Sequence, residues 1–360
     1  MTGRLIASAV ASLITAGALS LSIADLSGQS ARPDVRPPST SPGTNAAAGT
    51  PDTSPVRPTP GTTYKVSRTA WGDPDIQGFW SYNDDVNTPF ERPSELGGKV
   101  EFGDEELAAV IEERARRNVE RAPTIGGETG AGPTHWYEFW NARSARTSKI
   151  VDPPDGRVPA LTPEARTRGA ARAEATRGRG PADSWTDRSL GDRCIVSRGG
   201  WPHVVVNAGS YGNIIRIVQS PGYVVLTHEM IHETRIIPVD GRPHVSPGIR
   251  QYLGDPRGRW EGDTLVVEVT NFSDKTDFRG SRETLKLIER FTRVGPDMIS
   301  YAVTIDDPAT FTKPWTIGVP LKSDKEQAEI FEYACHEGNY AMRNILSGAR
   351  TDERAAAQSK

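Results

Sequence analysis

From about residue 203 the chain alternates apolar and polar side chains in short runs broken by turn residues, the period-two pattern of half-buried strands. Ile299, Tyr301, Val303 and Ile305 alternate with Ser300, Ala302 and Thr304. The pattern predicts strands at 203–206, 213–219, 222–237, 263–272, 284–294, 297–305, 313–319 and 328–334. Ser220-Pro221-Gly222, Asp240-Gly241 and Gly295-Pro296-Asp297 supply turns between them. Such strands in succession form an antiparallel meander, and a long meander curls towards a barrel to remove its edges. A barrel of about eight strands has room for one small ligand. The expected class is mainly β, a β-rich α+β protein. An antiparallel β-barrel-like domain at 200–350 follows an irregular, partly helical segment at 66–199 that wraps it.

The period changes before residue 200. Asp104 reads as a helix N-cap, Leu107, Val110 and Ile111 form an apolar stripe, and Arg114, Arg116 and Arg117 complement the far end of the helix dipole. A helix is expected at about 104–121, a second at 162–179, and a short one near 339–347, with 351–360 as a disordered tail. The glycine-rich run 126–132 lacks the Gly-Lys-Ser/Thr ending of a phosphate loop and reads as a flexible connection. His135-Trp136-Tyr137-Glu138-Phe139-Trp140 is an aromatic cluster, either a plug on the core or one wall of a pocket.

Composition adds an export reading. Arg4 precedes a weakly apolar run at 5–24 ended by Asp25, and Ser27-Gly28-Gln29-Ser30-Ala31 offers a cleavage site. The run is long enough to span a bilayer. Its Ala- and Ser-rich character favours a cleaved signal at 1–31, with no stable membrane insertion afterwards. A Pro/Thr/Ser-rich stretch at 32–65 cannot build a core and reads as a disordered linker. The expected location is periplasmic or secreted. Charged residues make up 25% with a net charge of −3, so no basic excess points to nucleic acid. In an oxidising compartment Cys194 and Cys335 pair as a disulfide that ties the start of the β-rich region to its end. Two buried thiols, or one reactive thiolate, are the alternatives.

Candidate chemistry gathers around 222–244. His228-Glu229-Met230-Ile231-His232 fits H-E-x-x-H, the zinc-protease spelling. That chemistry needs both histidines one helical turn apart. Here β-branched and aromatic residues flank the motif, and Gly222 and Pro238 bracket it. On a strand, positions 228 and 232 lie about 13 Å apart, too far for one metal. A strand also places His228, Met230 and His232 on the face of Val224 and Leu226, with Glu229, Ile231, Glu233 and Arg235 on the other. Both histidines then point inward, as core residues or as acid–base groups. His244 and His336 complete the acid–base pool. Arg242 and Asp240, in Asp240-Gly241-Arg242-Pro243-His244, either bind an anionic group or pair locally. Trp260 is expected to plug the barrel end, stacked by Arg259 or Arg290. His203, Glu337 and Tyr340 are further substrate-binding candidates at the mouth.

Several stretches resemble a family of secreted, largely uncharacterised proteins from soil and marine bacteria. They are Gly72-Asp73-Pro74-Asp75-Ile76-Gln77-Gly78-Phe79-Trp80, Glu91-Arg92-Pro93, Asp240-Gly241-Arg242-Pro243-His244, Gly258-Arg259-Trp260-Glu261-Gly262-Asp263-Thr264-Leu265 and Cys335-His336-Glu337-Gly338-Asn339-Tyr340. The resemblance spans about 70–350 and carries no established activity to transfer. The strand-rich half also resembles a lipocalin-type (calycin) barrel. There Gly-x-Trp opens the barrel, whereas Gly78-Phe79-Trp80 stands over a hundred residues before the predicted strands.

Together these readings lead to an exported enzyme acting on a small molecule, a cofactor-independent hydrolase or lyase using His228, His232, His244 and His336. A non-catalytic carrier of a hydrophobic or aromatic ligand and a zinc-dependent hydrolase are the alternatives. No cofactor or resident metal is assigned.

Overall fold

The structure is a computed structural model that describes residues 64–125, 144–196, 212–323 and 329–359. Its strands are β1 (Gly78–Ser81), β2 (Ile150–Asp152), β3 (Ile214–Ser220), β4 (Tyr223–His228), β5 (Thr234–Pro238), β6 (Asp255–Glu261), β7 (Thr264–Thr270), β8 (Lys286–Gly295), β9 (Met298–Asp306) and β10 (Trp315–Lys322). The ten strands make one sheet in the order β5-β4-β3-β1-β10-β9-β8-β7-β6, with β2 also paired to β10. Every ladder is antiparallel.

The fold is mainly β, as the alternation predicts. The sheet is curled and stops short of a closed barrel. No ladder joins its end strands β5 and β6. Side chains fill the seam instead: a Cβ on Gly258 of β6 would stand 2.9 Å from Ile237 and 2.7 Å from Val239. Glycine is therefore required where the two edges meet.

Alternate residues of each long strand enter the core. On β9 these are Ile299, Tyr301, Val303 and Ile305, all buried. Trp315 anchors one region, with Phe278 stacked at 5.9 Å and Phe311 edge-on at 5.5 Å.

Several expectations need correction. The wrapping segment supplies two strands of the sheet, and β1 lies in its middle, between β3 and β10. Gly78-Phe79-Trp80 thus enters the sheet despite its distance in sequence. Trp80 is buried, donates its indole N–H to the Ile76 carbonyl at 3.0 Å, and carries the Arg293 guanidinium 5.4 Å from its ring. Four residues are too few to show a period. The predicted strands pass over β6, whose glycine and proline masked it. Residues 329–334 form no strand.

Helix α1 spans Asp104–Ile125, and α2 spans Pro163–Ala175 with the Thr162 side chain capping Ala165 N–H at 3.0 Å. Helix α3 spans Ala341–Gln358, so the expected tail is helical through Gln358. Ala355, Ala356 and Ala357 are strong helix formers. Arg350 also ties the helix to the Asp183 and Ala182 carbonyls at 2.8 and 3.1 Å. Among the described residues no helix is long and apolar enough to cross a membrane. The export signal, most of the linker, the glycine-rich loop, the 135–140 aromatic cluster, the strand at 203–206 and His203 lie outside the described residues.

Candidate functional site

The stretch expected as one strand at 222–237 is a hairpin. Strand β4 ends at His228, a single 3-10 turn covers Met230–His232, and β5 begins at Thr234. Ile231 and His232 take positive φ values of 60° and 43°. For a β-branched residue that conformation is strained, and such strain collects at functional sites. Thr227 pairs with Thr234, and His228 N–H donates to the Glu233 carbonyl at 2.9 Å. His228 and Glu233 are therefore cross-strand neighbours and share a face.

This pairing resets the face assignment. Val224, Leu226 and His228 enter the core from β4, as expected. Glu233, Arg235 and Ile237 enter it from β5, whereas a straight strand would have turned Glu233 and Arg235 outward. His232, expected inside, is exposed.

A buried polar row results. Arg235 donates to both Glu289 oxygens, at 2.7 and 2.8 Å, and the Tyr301 hydroxyl donates to the same carboxylate at 2.9 Å. The Arg235 side chain is 6% exposed and Glu289 fully buried. Burial pulls the Arg235 pKa down, but the Glu289 carboxylate outweighs it and holds the guanidinium above its ordinary range. Glu233 adds to that field. Tyr82, just past β1, is also buried, and its N–H meets the Asn213 carbonyl at 3.3 Å. Burial pushes its phenol pKa up, and the charges of Glu233 and Glu229 push it further. Tyr82, Glu233, Arg235, Glu289 and Tyr301 thus form one electrostatic chain, with His228 opposite Glu233.

At the hairpin tip the chain meets the segment 329–340. The Phe331 N–H donates to Glu229 at 3.3 Å, and His232 Nδ1 lies 3.2 Å from the Tyr333 carbonyl. Burial raises the Glu229 pKa, with the Phe331 N–H opposing it. The disulfide Cys194–Cys335 fastens this segment across a separation of 141 residues. His336, Glu337 and Tyr340 are exposed beyond it.

The other expected residues lie elsewhere. His244 sits by β6 and β7, with Nδ1 2.9 Å from Asp255 and Nε2 3.4 Å from Glu268. Arg242 is occupied locally by Asp240 and by the Tyr223 hydroxyl at 2.7 Å. Trp260 lies on β6 and packs partly against the core. Arg259 and Arg290 both bind Glu261 rather than stacking on that indole, at 2.6 and 2.5 Å.

The four histidines therefore do not converge: His228 is inside, His244 is held by carboxylates at β6–β7, and His232 and His336 belong to the 329–340 side. With one imidazole buried and one exposed, H-E-x-x-H does not present its histidines together. Among the described residues no group of three or more His, Cys, Asp or Glu side chains is placed to hold a metal ion.

Sequence reasoning passed over Tyr82, Glu233, Arg235, Glu289 and Tyr301 as site residues. A signal existed for Glu289. It interrupts Leu287-x-Glu289-x-Phe291, where a charge occupies an inward position of a core strand. The chain matches no family model and no curated protein.

Proposed function

We propose that the protein is an exported enzyme that performs acid–base chemistry on a small molecule, a cofactor-independent hydrolase or lyase. The reading rests on one observation: His228 faces Glu233 inside the sheet, beside the buried Arg235–Glu289–Tyr301 array. Imidazole exchanges protons near neutral pH, and Glu233 sets a carboxylate on the same inner face, directly across the ladder from it. Tyr82 keeps its proton over the same range and serves as a hydrogen-bond donor to developing negative charge. Arg235 and Glu289 are committed to each other and fix the shape of the row. Of the histidine pool, His228 carries the chemistry. His232 and His336 belong to the rim, and His244 has a structural role.

Export is part of the proposal. It draws support from the N-terminal sequence and from a disulfide, which persists in oxidising compartments.

The test uses the full chain against a panel of chromogenic esters, lactones and β-elimination substrates. For any substrate turned over, His228→Asn and Glu233→Gln should each lower kcat/KM by about 100-fold or more, with circular dichroism unchanged. Turnover indifferent to both substitutions defeats the assignment. Saturable binding of hydrophobic ligands without turnover supports the carrier reading instead.

A further inference from the structure

We propose that Lys149 is a reactive amine that condenses with small aldehydes or ketones, in a charged cluster on the outer face of β10. The cluster is separate from the inner row and does not depend on its function.

Ile317 and Val319 of β10 face the core, so Gly318 between them faces outward, and a Cβ there would stand 3.1 Å from Val151 and 3.4 Å from Arg146. Arg146 is thereby packed against the outside of the sheet. It donates to both oxygens of Asp85 at 3.1 and 3.0 Å, and the Thr88 hydroxyl donates to the same carboxylate at 2.7 Å. Asp85 is fully buried. Lys149 is pinned beside them by its own backbone. Its N–H donates to the Pro89 carbonyl at 2.8 Å, and its carbonyl accepts from Gly318 N–H at 2.9 Å.

The ammonium of Lys149 reaches Asp85 only to 3.8 Å, beyond hydrogen-bond distance, because Arg146 and Thr88 already occupy that carboxylate. Its side chain is 5% exposed. A charged amine gains little in such a place. Burial lowers its pKa, the nearby Arg146 lowers it too, and Asp85 opposes both without prevailing. A desolvated lysine beside a second cation is the arrangement that frees an amine lone pair for attack on a carbonyl. Arg146 Nε is buried and makes no hydrogen bond among the described residues, leaving a donor in the cluster for the carbonyl oxygen.

The step balances with no added reagent. Lys149 Nζ adds to the carbonyl carbon. The proton lost by nitrogen passes to the resulting alkoxide. The hydroxyl then takes the second nitrogen proton and leaves as water while C=N replaces C=O.

The test is competitive labelling of the oxidised full chain with limiting propanal and cyanoborohydride, which reduces the imine. Modified lysines are mapped by mass spectrometry between about pH 6 and pH 11, spanning the ordinary lysine range. Lys149 should be modified first near neutral pH, with a labelling midpoint below those of exposed Lys275 and Lys313. Lys149→Met should remove the selective adduct. Because wild-type labelling decides the matter, poor folding of that variant leaves the test intact. A Lys149 that stays unmodified, or that labels with the midpoint of Lys275, overturns the proposal.

Discussion

Removing one partner of the Arg235–Glu289 pair should destabilise the fold far more than removing both. The bridge is bidentate, with a fully buried carboxylate and a guanidinium side chain 6% exposed. Glu289→Leu strands a buried guanidinium and leaves the Tyr301 hydroxyl without its acceptor. Arg235→Met strands a buried carboxylate. Breaking a buried pair in this way costs about 3–5 kcal/mol. At roughly 2–4 °C per kcal/mol for a domain of this size, each variant should melt about 6–20 °C below the wild type. The double variant carries no stranded charge, and exchange of a buried pair for apolar residues is often neutral. It should therefore lie within about 1–2 kcal/mol of the wild type. The assay is urea unfolding with the disulfide intact, followed by fluorescence, to which buried Trp80 and Trp315 contribute. Each midpoint and slope enters a double-mutant cycle. Single losses below about 1 kcal/mol, or a double variant as unstable as the sum of the singles, would refute the claim that these charges depend on each other in the core.

Three other predictions follow from separate contacts. Gly258→Val should lower stability by about 1–3 kcal/mol through overpacking against Ile237 and Val239, whereas Gly98→Ala, facing open space, should change chemical denaturation by less than about 0.5 kcal/mol. The Arg242 hydrogen bonds hold the Asp240 carboxyl down at about 2; carboxyl NMR should show that midpoint, and Arg242→Gln should return it towards about 3.9. Because this pKa is depressed, the pair's contribution is complete above the unfolded value and fades as pH falls through about 2. Replacing Cys194 and Cys335 by alanine, which opens a cross-link spanning 141 residues, should cost about 3–5 kcal/mol and accelerate hydrogen exchange across 329–340.

The regular part of this fold is legible because a two-residue period survives over seven to ten positions. Strands β7, β8 and β9 come within a few residues of where the alternation puts them. Strand β1 shows the limit. Four residues carry no measurable period, and their place between β3 and β10 depends on partners over a hundred residues away. The disulfide was readable because only two cysteines exist. The polar row was harder. Glu289 announces itself by breaking an apolar face, but its partner Arg235 can be assigned to that face only once the hairpin is known.

His228-Glu229-Met230-Ile231-His232 hides that hairpin. Nothing in its composition is a turn residue, and β-branched and aromatic residues flank it. Ile231 disfavours positive φ, by something on the order of 1–3 kcal/mol, so only the surrounding structure can hold it there. Met230 and Ile231 are both buried, which anchors the turn from within. The conformation decides chemistry as well as geometry. In a straight strand His228 and Glu233, five apart, fall on opposite faces. In the hairpin they face each other, while Glu229 and His232 turn to the segment fastened by Cys335. A metalloprotease helix would gather the two histidines. This turn separates them, and sets the inner one across the ladder from Glu233, a residue that the motif does not contain.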